Sequence, residues 1–310
     1  IEKFKVTIFC SKEKINKFKI NKLVNIKDFE IAAYKKKILE KKNNIHKFFN
    51  QNEKFDLYLS DNYPEIAYKK KNSLIISNFF WHDLLKVNTD YNRKVEKKIS
   101  KRPIVPNYLF CSKYIKKNFK IKPVGFYGNF KKTSFKNNRK GILLSFGTAE
   151  MNYKNKIKES INFLKKQKKR NYPIYIEPKF YQNDLKKYNL HKATYDDKMY
   201  NNIAIAIIKP GLGSITDCLS RGITILTYTK GQNKEFAYNA EILEKNNLGI
   251  NFNYISSALE FANLMVRQKK FLKNKFDLAK NLKWNGEFEV ISIIETYFQN
   301  KILYLNRKVI

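Results

Sequence analysis

The sequence predicts an α/β protein made of two doubly wound domains that face each other across a cleft. Two observations lead to this fold class: the length of the chain, and an alternation of short apolar runs with helical patterns that restarts halfway along it. The chain has 310 residues, and single hydrophobic cores stop growing beyond about 250–300 residues. With 43% hydrophobic and 15% aromatic residues, it has ample material for two packed cores.

In the first half, near-continuous apolar runs are separated by helical patterns, which is typical of a parallel sheet covered on both faces. The predicted strands are residues 5–10, 55–60, 73–77 and 108–111, and the predicted helices are 31–49 and 91–99. The polar stretch 128–140 has no periodicity and is predicted to link the domains. We therefore expect a first domain over residues 1–132.

The second half repeats the same alternation. The predicted strands are 141–146, 173–177, 192–195, 203–208 and 224–228. The predicted helices are 155–168, 214–221, 235–245, 256–272 and 287–301, with Ser256 or Ser257 capping the fourth. We expect a second domain over residues 133–285 and a C-terminal helix, 286–310, that packs back on the first domain. Ligands of doubly wound sheets bind outside the carboxyl ends of the strands, so functional residues are expected there.

The formal net charge of +36 comes from 63 Lys and Arg against 27 Asp and Glu. Taken alone, such a charge points to nucleic acid or to an anionic membrane surface. However, only seven of the basic residues are Arg, and the chain is rich in Lys, Asn, Ile, Phe and Tyr and poor in Gly, Ala and Pro. These are the residues of AT-rich codons, so compositional drift explains most of the charge. We expect no nucleic-acid partner, and contact with an anionic membrane surface stays open.

The three cysteines, Cys10, Cys111 and Cys218, are far apart and lie in apolar runs. This pattern predicts buried thiols in a reducing compartment rather than a disulfide or zinc framework. A membrane-spanning helix needs about 20 predominantly apolar residues, and the sequence contains no such run. We expect a cytoplasmic location, with the inner face of the membrane as a peripheral site.

A candidate anion site lies at Lys209-Pro210-Gly211-Leu212-Gly213-Ser214, between the predicted strand 203–208 and a predicted helix. Glycines let the backbone approach a phosphate, and the unpaired N–H groups of a first helical turn point at it together with the helix dipole. The alternative is a plain strand-to-helix turn with Ser214 as the N-cap and Asp217 favouring the dipole. A dinucleotide-binding fingerprint is disfavoured because Thr216 stands where its third glycine would be.

The continuation of this stretch, from Asp217 to Tyr228 and on to Gln232, Glu235 and Asn239-Ala240-Glu241, resembles the donor-site signature of GT-B glycosyltransferases. These enzymes consist of two Rossmann-like domains that face a cleft. The sequence is similar to the family that includes the N-acetylglucosaminyl transferase of peptidoglycan lipid-intermediate synthesis, glycosyltransferase family 28. The likeness covers about residues 141–249.

The resemblance assigns donor-binding roles to residues of this stretch. Gly211, Gly213 and Ser214 match the positions that bind the diphosphate, and Asp217 stands where the family has a Glu that binds the ribose hydroxyls. The loop 194–197 would lie near the nucleobase, mainly through its backbone.

Two further segments complete the expected donor site. Gly147 and Thr148 match another phosphate-facing loop, with a plain strand-end turn as the alternative. Glu235 and Asn239 are the polar residues at the start of the next helix, and a structural role is the alternative for Asn239. Phe236 lies where the family often has a Gln that contacts the sugar or ribose.

The resemblance implies an enzyme that transfers a sugar from a nucleotide-sugar donor, expected to be UDP-linked, to a glycan or polyprenyl-linked acceptor of the cell envelope. It implies no metal and no cofactor, because the nucleotide sugar is the substrate. A base must deprotonate the acceptor hydroxyl. His82 is the candidate base, with Asp61 or Asp83 orienting or replacing it. The alternative is that Asp83 caps a helix and His82 packs beside Trp81.

In many relatives, the first strand is followed by a glycine-rich loop that ends in His. Residues 5–10 look like the second strand of such a domain instead, so we expect a strand–helix unit of about 30 residues to be missing. A nucleotide-sugar hydrolase or epimerase of the same fold is the alternative function, and a nucleic-acid-binding protein is a more distant one.

Overall fold

The computed structural model describes residues 6–10, 24–28, 55–87, 89–131, 134–136, 138–146, 152–166, 171–229 and 234–306. Within these residues, every strand pairing is parallel, and the strands form sheets of two, three and six strands. The predicted helix 31–49 lies outside the described residues.

The first half contains the two smaller sheets. Strand β1 (Val6–Cys10) pairs with β2 (Val24–Asp28), and β3 (Tyr58–Asp61), β4 (Ser73–Ile76) and β5 (Ile104–Val105) form the three-stranded sheet in that order. The helices are α1 (Pro64–Lys69), α2 (Trp81–Leu84), α3 (Asp90–Ile99) and α4 (Lys113–Asn118). The predicted helix 91–99 is therefore confirmed as α3, which Thr89 caps through its side chain.

The predicted strand 108–111 is wrong. The third strand of the sheet is β5, and the side-chain oxygen of Asn107 accepts hydrogen bonds from the N–H groups of Leu109 and Phe110. These bonds fold the chain into a turn. The Phe110 side chain is nevertheless fully buried. The apolar pattern of this segment therefore indicates that it is buried, but not that it forms a strand.

The second half forms one six-stranded sheet in the order β11-β10-β9-β6-β7-β8. These strands are β6 (Gly141–Ser145), β7 (Ile174–Ile176), β8 (Leu190–Lys192), β9 (Ile203–Ile208), β10 (Thr224–Tyr228) and β11 (Gly249–Phe252). The chain runs from β6 outward to β8, returns to β9 beside β6, and then runs outward the other way. This reversal opens a crevice at the carboxyl ends of β6 and β9, the place where doubly wound sheets bind ligands.

The helices of this half are α5 (Asn152–Lys166), α6 (Asp197–Asn202), α7 (Leu212–Leu219), α8 (Lys234–Lys245), α9 (Ile255–Met265), α10 (Lys269–Lys280) and α11 (Gly286–Asn306). The single predicted helix 256–272 is wrong, because Gln268 leaves the helical conformation and divides the segment into α9 and α10. Neither Ser256 nor Ser257 caps it, since the N-cap is Tyr254, whose side chain makes no capping bond. The predicted strand 192–195 is displaced and lies at β8.

Both faces of the six-stranded sheet are buried, which explains its continuous apolar strands. In β9, Ile205 and Ile207 join the cluster on one face, whereas Ala206 and Ile208 join the cluster on the other. Cys218 belongs to the second cluster and Cys111 to the core of the first half, and both are buried free thiols, as the sequence predicts for these two. Burial raises the pKa of the Cys111 thiol to about 11 and that of Cys218 to about 12, so neither is a reactive thiolate.

Helix α11 contacts the first half of the chain through its apolar side. Val290 packs in one cluster with Leu74, Val105 and Val124, the first two of which lie on β4 and β5. The proposed domain limits at residues 132 and 285 stay a prediction.

The start of α11 also crosses the segment 124–128, and we call this contact the crossing. The N–H of Phe126 donates to the carbonyl of Lys283 at 2.8 Å, and the N–H of Gly286 donates back to Phe126 at 2.8 Å. The Glu289 carboxylate accepts a hydrogen bond from the Gly125 N–H at 2.7 Å. Two peptide segments distant in sequence therefore lie backbone against backbone.

Candidate functional site

The crevice at the carboxyl ends of β6 and β9 holds the predicted anion site. The N–H of Lys209, directly after β9, donates to the carbonyl of Ser145 at the end of β6 at 3.2 Å. The chain then turns through Pro210 and Gly211 into α7. This connection fixes the beginning of α7 beside the crevice.

Helix α7 begins earlier than the sequence indicates. Gly211 is the N-cap, without a side-chain capping bond, and its carbonyl accepts the N–H of Ile215 at 3.0 Å. The alternative with Ser214 as the N-cap is wrong, because the helix starts at Leu212 and Ser214 lies exposed in the first turn. An α-helix leaves the N–H groups of this turn without intrahelical acceptors, so they are available to a bound anion.

Glycine at position 213 is not required by the packing of the described residues. A Cβ added to Gly213 would meet no described atom within 4 Å, and its φ lies outside the left-handed region. Among the described residues, a Cβ on Gly211 would meet only the ring of Phe236, at 4.0 Å. No side chain of the described part of the chain therefore requires glycine at either position.

A lysine and a buried carboxylate lie close to this turn. Lys209 belongs to the predicted anion-site stretch, although no role was assigned to its side chain, and Glu177 was not predicted. The Lys209 ammonium is 4.7 Å from the centroid of the Phe236 ring. The buried Glu177 carboxylate accepts the Phe146 N–H at 3.1 Å and lies 3.6 Å from the Lys179 ammonium. Burial raises the pKa of Glu177, while Lys179, the Phe146 N–H and Lys209 oppose the rise. The signal available in the sequence was position alone, since Glu177 and Lys209 each directly follow a strand.

Tyr195 lies on the other side of the crevice in a conformation that is unusual for its residue type. Its φ is 56°, in the left-handed region, which costs a residue with a large side chain about 1–3 kcal/mol. Its hydroxyl is 2.8 Å from the Ser145 hydroxyl, and the residue is 40% exposed. Such strain concentrates at ligand-binding loops, and here it presents an aromatic ring beside β6.

Asp217 lies in the second turn of α7, with 58% of its side chain exposed. Its carboxylate is 3.6 Å from the guanidinium of Arg221, a buried residue that also reaches Asp197 at 3.0 Å and covers the Tyr200 ring at 4.3 Å. The buried Arg221 therefore contacts one side of the Asp217 carboxylate, while most of the Asp217 side chain is exposed to solvent.

Helix α8 connects the turn before α7 with the first half of the chain. The buried Asn239 donates from its amide to the Pro210 carbonyl at 2.9 Å, and its amide oxygen has no partner among the described residues. The Tyr238 hydroxyl donates to the Phe110 carbonyl at 3.1 Å. Glu235 is half-buried in the first turn of α8. Asn239 thus positions the anion-site turn, in keeping with a structural role.

The predicted base His82 is bound by a carboxylate that the sequence did not single out. Its Nε2 lies 2.6 Å from Glu96 Oε1, and the same oxygen accepts the Tyr114 hydroxyl at 2.6 Å. The ring stacks on buried Phe80. Burial raises the pKa of Glu96, but the hydrogen bonds from His82 and Tyr114 outweigh it and lower the pKa. The hydrogen-bond partner of His82 is thus Glu96 of α3 rather than either of the predicted aspartates, Asp61 and Asp83.

Asp83 is the predicted acid whose charge affects a residue of the second half, Tyr238. It does not cap α2, whose N-cap is Phe80. Burial raises the pKa of Asp83, His82 lowers it and Glu96 raises it. Burial also raises the pKa of Tyr238 on α8, and the neighbouring Asp83 carboxylate adds to that rise. Asp61 is exposed. Its negative charge adds to the rise that burial causes in the pKa values of Tyr63 and Tyr127.

Gly147 and Thr148 lie outside the described residues. In the part of the chain that the structure describes, no group of three or more His, Cys, Asp or Glu side chains could hold a metal ion. No helix within that part is long and apolar enough to cross a membrane.

No protein-family model and no curated protein matches this sequence. Solved structures do match. MurG of Acinetobacter baumannii aligns with a TM-score of 0.61 at 12% identity, covering 94% of this chain and 91% of that one. UGT89C1 of Arabidopsis thaliana, complexed with UDP, gives 0.60 at 10% identity over 94% and 92%. CalG4, the calicheamicin glycosyltransferase, gives 0.58 at 10% identity over 96% and 92%. The chain therefore has the GT-B fold, and the predicted fold class is confirmed.

Proposed function

We propose that this chain is a glycosyltransferase that takes its sugar from a nucleotide-sugar donor. The observation that carries the proposal is the exposed first turn of α7, which follows β9 through a glycine turn at the point where the strand order of the sheet reverses. The structural neighbours with this fold are glycosyltransferases, and UGT89C1 is complexed with UDP. Fold alone does not assign function, so the proposal depends on the chemistry of the residues in the crevice.

The crevice offers complementary groups to each part of a nucleotide diphosphate. The N–H groups of Leu212, Gly213 and Ser214 would bind phosphate oxygens, with the Lys209 ammonium neutralising charge. Asp217, exposed in the next turn, would accept hydrogen bonds from ribose hydroxyls. The loop that follows β8 contains Tyr195, and the exposed ring of this residue would face the nucleobase.

The proposed reaction needs one base and one stabilised leaving group. The Asp83 carboxylate takes the proton from the acceptor hydroxyl as that oxygen attacks the anomeric carbon of the sugar. The bond from the anomeric carbon to the diphosphate oxygen breaks, and its electron pair leaves with the nucleoside diphosphate. The first turn of α7 and Lys209 stabilise the charge that develops there. In this proposal, the pair of His82 and Glu96 holds α2, on which Asp83 lies.

A thermal-shift titration with UDP, dTDP, GDP, ADP, NAD and a short RNA tests the proposal. A ligand at about 100 times its Kd adds about 2.7 kcal/mol to the free energy of unfolding, enough to raise the Tm by several degrees. We expect one nucleoside diphosphate to raise the Tm and Asp217→Ala to weaken its binding. A shift with RNA alone would overturn the proposal in favour of nucleic-acid binding.

Asp83 is the proposed base, so its replacement should slow the reaction. We expect Asp83→Asn to lower the rate of donor consumption by at least about 100-fold, because general-base catalysis typically contributes 10²–10⁴. Binding of the nucleoside diphosphate should not change. The raised pKa of Asp83 means that activity is lost as the pH falls, at a higher pH than an ordinary aspartate would give. The measurement is the pH dependence of nucleoside diphosphate release from the donor.

Asp61→Asn is the matched control, because Asp61 is an exposed aspartate of the first half whose charge affects the pKa of Tyr127. It should leave the rate within a few-fold of the unmodified protein. If Asp61→Asn removes the activity and Asp83→Asn does not, the base is assigned to the wrong carboxylate.

Basic residues are unevenly distributed along the chain. Residues 171–265 contain ten Lys and Arg against nine Asp and Glu, whereas residues 89–122 contain eleven against two. The latter segment includes α3 and α4, which pack together through one apolar cluster and through the bond from Tyr114 to Glu96. We propose that this basic face contacts an anionic membrane surface beside the acceptor side of the crevice.

Replacing Lys97, Lys98, Lys116 and Lys117 with Glu should lower binding to anionic phosphatidylglycerol vesicles by about 100-fold or more, since each basic residue near such a surface contributes about 1 kcal/mol. The control replaces Lys269, Lys270, Lys273 and Lys280 of α10, which changes the net charge equally. Sedimentation with vesicles at low salt measures both. Equal losses from the two variants would show that net charge, and not this face, governs binding.

A further inference from the structure

Glu96 is a half-buried carboxylate at the point where three helices meet. It lies on α3, and its Oε1 atom is 2.6 Å from His82 Nε2 of α2 and accepts the Tyr114 hydroxyl of α4 at 2.6 Å. The side chains of His82 and Glu96 are only 11% and 17% exposed. Water therefore screens the charge of this carboxylate less than it would at an open surface.

Glu96 also fixes the orientation of the His82 ring. A carboxylate can only accept hydrogen bonds, so the imidazole proton that faces Glu96 is on Nε2. The ring stacks on Phe80, with centroids 5.6 Å apart, and meets the Tyr114 ring edge to face at 6.4 Å. The ring is thus held both by its faces and by the hydrogen bond at its edge.

Helix α2 depends on such contacts because it is a single turn. It contains four residues, none of which is fully buried, and its N-cap makes no side-chain bond. A helix of this length is not stable by itself. The bond from His82 to Glu96 ties α2 to α3. The position of Asp83, the next residue along α2, therefore follows that of His82.

The charges of this network act on Asp83. Burial raises the pKa of Asp83, His82 lowers it and Glu96 raises it. Tyr114 and Tyr238 also face Asp83: burial is the main cause of the raised pKa of both hydroxyls, and the Asp83 charge adds to each rise. Both tyrosines are neutral, so Glu96 and His82 are the charged groups that act on Asp83, and they act in opposite directions.

We infer that Glu96 is a positioning residue that makes Asp83 a stronger base, because His82 and Tyr114 hold its negative charge beside α2. A general base is most effective when its proton affinity suits the working pH. This inference rests on the proposed function and adds the group that tunes its base. Glu96 acts through Asp83 and takes no part in bond breaking.

The test compares the pH dependence of kcat/KM for Glu96→Gln and His82→Gln, measured as release of nucleoside diphosphate from the donor. Glu96→Gln should stay active to a lower pH than the unmodified chain, because the lost negative charge no longer opposes ionisation of Asp83. His82→Gln should lose activity at a higher pH, because His82 lowers the pKa of Asp83. In both variants, kcat/KM at high pH should fall by about tenfold or more, since small displacements of a reacting group are costly.

The matched control is Glu260→Gln, which changes the net charge equally at an exposed position of α9. It should leave the pH dependence unchanged. Glu96→Asp keeps the negative charge, so it should keep the original pH dependence even where its rate is lower. The affinity for the free nucleoside diphosphate reports the folding of each variant independently of the base.

A purely structural role for Glu96 would slow the reaction without moving its pH dependence. If Glu96→Gln binds the diphosphate normally and its pH dependence is unchanged or moves to higher pH, the inference is overturned and the proposed function stands. A moved pH dependence in Glu96→Asp would also overturn it, since the charge is still present. If the unmodified chain turns over no nucleotide-sugar donor, the proposed function fails and the inference fails with it.

Discussion

Replacing Gly286 with alanine is expected to destabilise the chain by about 3 kcal/mol or more. A Cβ at this position would lie 2.2 Å from the Gly125 carbonyl oxygen and 2.7 Å from its carbon. Both are backbone atoms, so no side-chain rotation can relieve the overlap. The two segments of the crossing would have to separate, which would stretch the bonds between Phe126 and the Lys283 and Gly286 backbone.

The measurement is the Tm of Gly286→Ala and of Gly125→Ala, whose Cβ would lie 2.6 Å from the Lys283 carbonyl oxygen. Gly213→Ala is the control, since its Cβ would meet no described atom within 4 Å. Alanine is favoured over glycine in helices by up to about 1 kcal/mol, so the control should keep or raise the Tm. Equal Tm values for all three variants would mean that the crossing is not closely packed in solution.

The crossing also shows what the sequence could not reveal. Gly125 and Gly286 are far apart in the chain, and no local pattern marks two glycines that lie against each other. By contrast, β9 and β10 were predicted with their observed limits, because strands buried on both faces leave a continuous apolar run. Local sequence patterns predict local structure, whereas contacts between distant segments can be identified only once the fold is known.

The same distinction between local patterns and long-range contacts applies to the residues of the candidate site. Gly211, Gly213 and Ser214 could be placed at a helix start, because a strand, a glycine turn and a helix follow one another in the sequence. Glu96 could not be linked to His82, since their pairing depends on how α3 packs against α2. The predicted strand 108–111 failed for a different reason, because one Asn107 side chain redirects the backbone.

Gly213→Asp is expected to abolish nucleotide binding while leaving the fold intact. The added carboxylate would meet no described atom near its Cβ, and φ lies outside the left-handed region. An acidic side chain in the first turn of a helix is favourable by about 0.3–1 kcal/mol, so the Tm without ligand should stay the same or rise. A phosphate bound at this turn would instead meet a like charge. At about 4 Å with an effective dielectric constant of 20, the repulsion is about 4 kcal/mol, or about a thousandfold in Kd.

Gly213→Asn is the matched variant, because it adds nearly the same volume without the charge. Titration calorimetry with the nucleoside diphosphate that binds the unmodified chain should give a much smaller loss for Asn than for Asp. Equal losses would assign the effect to bulk, and the anion would then lie against Gly213 without depending on local charge. An unchanged Kd for Gly213→Asp would remove the diphosphate from α7 altogether, because no bound phosphate could tolerate a carboxylate in that turn without a measurable cost.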